Sequence, residues 1–382
     1  MVNDSESAVT ERYTGAAHER EEALCCPVDY DPKYLEAIPD DVLERDYGCG
    51  DPSAWLREGE TVLDLGSGGG KICFIASQVV GPRGRVIGVD MNDDMLALAR
   101  GAAPVLAERL GYANVEFRQG RIQDLASDPA RAAAHLFAHP VQMASDVIEF
   151  ERFMAEQRAT SPLIASDSVD VVVSNCVLNL VRSEDKAALF DEIFRVTRVG
   201  GRVVISDIVA DEEVPDAMQA NPELWSGCVS GALREDLFLQ AFLDAGFYGV
   251  RILKRDEQPW RTVEGIEFRS VTVEAFKGKQ GLCWDHLQAV VYKGPFSAVV
   301  DDDGHRIPRG VRYAVCEKTY RLYSKEPYRE HFEFVEPLEA VPGKEARPFD
   351  CERDALRHPR ETKGVDYDAT MDGGACCGPD GC

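Results

Sequence analysis

The chain has 382 residues, 45% of them hydrophobic, enough for one large domain and a smaller one. Its 42 basic and 67 acidic side chains leave a net charge of −25, which repels a phosphate backbone or an anionic membrane and argues against nucleic acid as a partner. The N-terminus Met1-Val-Asn-Asp-Ser-Glu-Ser has neither a basic start nor an apolar stretch, and nowhere do about 18 apolar residues follow one another, so a cytoplasmic protein without a membrane segment is expected.

In chain order, the first ten residues are polar and expected to be loose, and residues 11–24, rich in charge and Ala, read as a helix. Cys25-Cys26-Pro27 ends that segment, and Asp40-Asp-Val-Leu-Glu-Arg reads as a short acid-started helix leading to Tyr47-Gly-Cys49-Gly. From Thr61, short apolar runs alternate with helical patterns: Thr61-Val-Leu-Asp-Leu, a helix through Phe74 and Val80, Arg85-Val-Ile-Gly-Val-Asp90, a helix through Met95 to Leu110, then Asn114-Val-Glu-Phe. Such alternation specifies an α/β fold, a parallel sheet covered by helices. Residues 126–166 are Ala-rich and long for a connection, and read as a partly helical insertion. The sheet pattern resumes with Val169-Asp-Val-Val-Val-Ser-Asn-Cys176, a helix over 184–196 and Gly200-Gly-Arg-Val-Val-Ile-Ser-Asp207. A helix over 234–245 stops at Gly246, and Ile266-Glu-Phe-Arg-Ser-Val-Thr-Val-Glu-Ala-Phe alternates as a half-buried strand does. From about Gln288 the texture is β-rich, with Ala289-Val-Val-Tyr292, Phe296-Ser-Ala-Val-Val300, a turn at Asp301-Asp-Asp-Gly304 and Val311-Arg-Tyr-Ala-Val-Cys316, which predicts a small, mostly β C-terminal domain. Residues from Arg360 lack periodicity and end in Cys376-Cys-Gly-Pro-Asp-Gly-Cys382, a tail expected to be disordered.

Gly66, Gly68 and Gly70 follow a strand and precede a helix, a placement that lets backbone approach a nucleotide-like ligand without a Cβ in the way. A dinucleotide fingerprint needs its third Gly one residue later, and a glycine turn that serves only packing is the plainer alternative. Asp90 closes the second strand where a ribose-binding carboxylate belongs in such folds, and Met91 follows on the adenine side. Strand, glycines and carboxylate together resemble the class I S-adenosylmethionine-dependent methyltransferases, whose fold is a Rossmann-like sheet. The resemblance implies that Asp64, Ser67 and the glycines meet the cofactor's methionine end, and that Gly120, Arg121 and Ile122 meet its adenine.

Twelve cysteines are many for a cytosolic chain, where structural disulfides are disfavoured. Ser174-Asn175-Cys176 places a thiol at the carboxyl end of a core strand, the side on which ligands bind in open α/β sheets. Cys228 follows the next strand, while Cys49 and Cys25 or Cys26 precede the glycine loop. No general base is conspicuous. Zinc ribbons and fingers require a Cys-x₂-Cys spacing that is absent. Cys73, beside Phe74-Ile75 on a helix, reads as core, and Cys283, Cys316 and Cys351 as structural or incidental. Tyr47-Gly-Cys-Gly, Val62-Leu-Asp-Leu-Gly-Ser-Gly, Gly88-Val-Asp-Met, Val173-Ser-Asn-Cys-Val-Leu-Asn-Leu180 and Leu224-Trp-Ser-Gly-Cys-Val-Ser-Gly-Ala-Leu233 resemble the arsenite methyltransferases, with gaps, over about 25–278.

That resemblance implies that Cys176, Cys228 and Cys49 bind trivalent arsenic, that an N-terminal thiol, Cys25 or Cys26, takes part in disulfide exchange with Cys49, and that Tyr47 and Asn175 lie beside the cofactor. Glutathione or a thioredoxin would reset the thiols. The chemistry agrees independently, because soft trivalent arsenic takes thiolate ligands and keeps a lone pair that attacks a sulfonium methyl without losing a proton. Other acceptors, a small thiol or a natural-product oxygen, and a thiol-rich metalloid-binding protein without turnover are the rival readings. The tail thiols Cys376, Cys377 and Cys382 could capture arsenite or bind a metal. The expected divisions are 1–50, a lead-in; 51–250, the cofactor-binding domain; 251–287, an arsenic-site and connecting region continuing the core; 288–359, the β-rich domain; and 360–382, the tail.

Overall fold

A computed structural model of the chain describes residues 5–21, 24, 28–353 and 355–368. Cys25, Cys26, Cys376, Cys377 and Cys382 lie outside the described residues. The chain divides into two compact units, residues 1–278 and 279–382.

The first unit is built on eight strands: β1 Thr61–Leu65, β2 Arg85–Asp90, β3 Val115–Gln119, β4 Val169–Asn175, β5 Thr197–Ala210, β6 Tyr248–Arg255, β7 Arg261–Val263 and β8 Ile266–Phe276. They lie in the order β3-β2-β1-β4-β5-β8-β6, with β7 paired to β8. The first five are parallel and β8 is antiparallel to β5. Alternation along the strands feeds two cores: Leu63, Leu65, Val172, Val203 and Ile205 point to one face, while Val62, Val171, Val173 and Val204 point to the other. The strand order reverses between β1 and β4, and the carboxyl ends of those strands there open a crevice for ligand.

The insertion forms two helices, Pro129–Ala138 and Ala144–Thr160, tied back where the buried Gln157 amide donates to Ala126 O at 3.2 Å. β6 escapes the sequence pattern because it is an edge strand whose register to β8 slips twice, so its burial does not alternate. The expected loose start and a helix over 11–24 are also corrected: the first helix runs Ser5–His18. Its apolar periodicity is weak, and tertiary ties hold it instead. Arg12 donates to Glu223 O at 3.1 Å, and Asn92 Nδ2 donates to Thr14 Oγ1 at 3.0 Å.

Asn92 also caps the helix Asp93–Leu110, its Oδ1 accepting from the amides of Asp94 and Met95 at 3.0 Å each. Asn92→Ala is expected to cost about 1 kcal/mol for the cap alone, read as a lower denaturant midpoint for the first unit.

In the second unit, Ala289–Tyr292 is the centre of a three-stranded antiparallel sheet flanked by Arg312–Ala314 and Phe332–Val335. A helix, Glu317–Tyr323, packs through Tyr323 stacked on Phe332 at 4.8 Å between ring centroids. Trp284–Asp285 pairs with Arg347–Pro348, so residues 279–287 group with this unit and do not continue the first unit's core as expected. The fully buried Arg357 binds Asp285 at 2.7 Å and Glu361 at 2.8 Å, a charge kept inside by two carboxylates.

Candidate active site

The turn after β1 is forced by its glycines. Gly66 has φ of 67°, and a Cβ there would stand 2.3 Å from Val177 Cγ1. Gly68 N donates to Asp90 Oδ2 and Asn92 N to Asp90 Oδ1, each at 2.8 Å, leaving each carboxylate oxygen with further accepting capacity. Two adjoining pockets of about 530 and 740 Å³ share Tyr13, Gly66, Gly68, Met95 and Val177. The first is lined by Tyr47, Asp64, Ser67 and Asn175, and the second by Asp90, Met91 and Ile122. Burial raises the Asp64 carboxyl to about 7 against the opposing hydrogen bond from the Cys73 thiol at 3.2 Å, with Asp90 and Asp46 adding to the rise. Cys73 is therefore in the core, as expected, but it also bonds the site's carboxylate. Arg121 departs from expectation: its guanidinium pairs with Glu6 at 2.8 Å, and of the Gly120-Arg-Ile run it is Gly120 and Ile122 that line the pocket.

Behind Cys176, which lines the first pocket, the sequence-distant thiols converge. Cys49, Cys176 and Cys228 are all buried and share one apolar cluster with Ile208, Val214 and Phe268. The Cys49 and Cys176 sulfurs and an Asp207 oxygen lie within 4.8 Å of one another. Cys228 Sγ donates to Cys176 O at 3.1 Å. Cys176 and Cys228 both adopt the left-handed backbone, φ 63° and 59°, a conformation that costs a non-glycine residue about 1–3 kcal/mol. Two of the cluster's three thiols are held this way, and such strain recurs at active sites and ligand clamps. The neighbouring Cys228 and Cys49 thiols, then burial, push the Cys176 thiol well up, and burial raises Cys49.

The loop that presents Cys49 is clamped by Asn175. Its Oδ1 accepts from Cys49 N at 2.9 Å and Gly50 N at 3.0 Å, and its Nδ2 donates to Gly50 O at 2.7 Å. Gly48 makes this approach possible, since a Cβ there would lie 2.1 Å from Asn175 Nδ2. Asn175 thus lines the pocket, but its amide is spent on positioning Cys49. Tyr47 is fixed by its hydroxyl, which donates to Ala16 O at 2.9 Å and accepts from Glu21 N at 3.1 Å.

Comparison with known proteins places this geometry in a family. Residues 56–137 and 138–261 match the family described as Methyltransferase domain, and residues 279–367 match a domain of unknown function (DUF8838). An arsenite methyltransferase of Aquipseudomonas alcaligenes is 33% identical over 331 residues, 82% of this chain and 85% of that protein. That of Halobacterium salinarum is 40% identical over 232 residues, 60% of this chain and 48% of that protein. The X-ray structure of an arsenic (III) S-adenosylmethionine methyltransferase from Chlamydomonas reinhardtii aligns with TM-score 0.54 at 28% identity, covering 85% of this chain and 100% of that one. The chain belongs to the arsenite methyltransferase family. Among the described residues of this family member no helix is long and apolar enough to cross a membrane.

The residues present fit the family's cofactor. Ser67 Oγ is buried and, among the described residues, has no hydrogen-bond partner, so it is ready for a polar group. A Cβ on Gly68 would meet open space, which marks the side from which a ligand approaches. Asp90 offers the acceptors two ribose hydroxyls need. Sequence reasoning missed Tyr13, whose hydroxyl lies 3.7 Å from Cys228 Sγ and whose ring borders both pockets. It also missed Asp207 and Lys186. Burial raises Asp207 to about 6, and burial lowers Lys186 to about 8 while its Nζ donates to Leu178 O at 2.9 Å. Asp207 closes the apolar run read from the sequence at Gly200-Gly-Arg-Val-Val-Ile-Ser-Asp207, although β5 continues to Ala210, and that placement was the available signal.

Proposed function

We propose that this arsenite methyltransferase holds trivalent arsenic on Cys49, Cys176 and Cys228 and methylates it from S-adenosylmethionine. The observation that carries the reading is that Cys176 belongs to both the buried thiol cluster and the lining of the glycine-loop pocket. S-adenosylmethionine, when bound, supplies a methyl group on a positively charged sulfur that a lone pair can take without loss of a proton. Asp90, ordered by the Gly68 amide, would hold the ribose side, and Asp64 would face the cationic end. Cys176, pushed up by its neighbouring thiols, and Cys49, pushed up by burial, stay protonated at neutral pH, and arsenous acid suits them. Each As–S bond that forms releases one hydroxyl, which leaves with the thiol proton as water. The apolar wall of Ile208, Val214 and Phe268 keeps other water out.

Methylated arsenic stands two electrons above the trivalent state. The thiol of Cys25 or Cys26 loses its proton and attacks Cys49 Sγ, the As–S bond to Cys49 breaks with its electron pair left on arsenic, and glutathione or a thioredoxin reopens the disulfide. The test is to incubate the protein with arsenite, glutathione and S-adenosylmethionine and to speciate the arsenic. Methylarsenicals are expected in the product. Tight arsenite binding without methylated product would instead favour the metalloid-binding reading.

A further inference from the structure

Three cysteines of the second unit, distant in sequence, meet around one pocket of about 850 Å³ that His305 and Tyr313 also line. Cys316 begins the helix Glu317–Tyr323, and its sulfur is fixed by Thr319, whose amide donates to it at 3.4 Å. Cys283 comes alongside because Phe349 N donates to Cys283 O at 2.8 Å, a tie that also brings Cys351 to the same rim. The three grade outward, Cys316 buried, Cys283 half-buried and Cys351 exposed. Burial raises the Cys316 thiol, and the Cys283 thiol on the same pocket adds to the rise. These cysteines, expected to be structural or incidental, line one pocket together.

The pocket's carboxylate and imidazole are already engaged, Asp303 with Lys279 at 2.9 Å and His305 with Asp301 at 2.9 Å. Among the described residues, no cysteine of this unit belongs to a cluster of His, Cys, Asp and Glu atoms lying within 4.8 Å of one another, so the four donors zinc requires are not assembled. Trivalent arsenic needs fewer. Two thiols complete its coordination when it keeps one hydroxyl or methyl group of its own, and soft sulfur donors select it.

We propose that Cys283 and Cys316 form a second, dithiol site for trivalent arsenicals in the C-terminal unit. In the binding step two As–O bonds break and two As–S bonds form. Each thiol proton leaves with one hydroxide as water, and no electrons are exchanged. The choice of ligand rests on the catalytic reading; the thiol pair does not.

The test uses the full chain, sodium arsenite as the probe, and limited iodoacetamide labelling read by peptide mass spectrometry. Arsenite at about ten times its dissociation constant is expected to slow alkylation of Cys283 roughly tenfold. Cys316→Ser removes that protection, and Cys351→Ser leaves it in place. Cys283→Ser, at the more exposed position, gives the converse reading through Cys316. Equal alkylation with and without arsenite, protection of Cys283 that survives Cys316→Ser, or protection by zinc ion alone would overturn the site. Repeating the measurement in the Cys176→Ser, Cys228→Ser double variant separates the two readings. Protection of Cys283 persists there if the second site exists, whereas absence of methylarsenicals from the wild-type protein with Cys283 still protected counts against the catalytic reading only.

Discussion

Arsenite methylation by the Cys176→Ser variant is expected to fall roughly a thousandfold, about 4 kcal/mol in the barrier, while its affinity for S-adenosylmethionine changes by no more than about twofold. The serine oxygen is smaller than sulfur and a hard donor, so arsenic loses a ligand while the left-handed turn at the end of β4 keeps a side chain of the same shape. Losing a group that merely orients a ligand costs about 10–100-fold in comparable sites, and a direct ligand counts for more. The Cys176 sulfur lies within 4.8 Å of that of Cys49 and the Cys176 carbonyl accepts from the Cys228 thiol, so Cys228→Ser should fall in the same class and the double variant should be little worse than either. Single-turnover formation of methylarsenical, set beside calorimetric titration of the cofactor, reads the two quantities separately. An undiminished rate would move the acceptor away from these thiols, toward a small thiol or a natural-product oxygen.

The parts of the site legible in the sequence are those fixed by local rules. The Gly66 turn, Asp90 at the end of β2 and Cys176 at the end of β4 each follow from strand, turn and helix in succession, and strand ends are where open α/β sheets bind ligands. Tyr13 was invisible because the helix carrying it is held by Arg12, Asn92 and its burial, with little apolar periodicity of its own. Asn175 was placed beside the cofactor, but which groups its amide binds depends on a loop 125 residues away, at Gly50. Arg121 was assigned to adenine by position, yet Glu6, 115 residues away in sequence, claims its charge. The Cys283 and Cys316 pair is a purely tertiary event. Nothing in the spacing of those two residues announces it.

Asp90→Ala is expected to raise the dissociation constant for S-adenosylmethionine about a hundredfold, about 2.7 kcal/mol, with much less effect on the rate at saturating cofactor. The carboxylate performs two tasks, ordering the loop through Gly68 N and Asn92 N and offering its remaining lone pairs to the ribose. Hydrogen bonds to a charged group are worth about 1.5–3 kcal/mol each, and the alanine also leaves the Gly68 amide without its acceptor. Asp90→Asn keeps one oxygen and should lose only about tenfold. The thiols are untouched in both variants, so KM for the cofactor rises while kcat holds, the reverse of the Cys176 result. Burial holds the Asp90 carboxyl above the usual range, although the amides of Asn92 and Gly68 oppose it. The ionised form is the better acceptor pair, so wild-type affinity weakens as pH falls through that raised value, sooner than an exposed aspartate would allow. In Asp90→Ala this acidic limb should disappear, and an affinity profile that kept it would assign the ribose to another group.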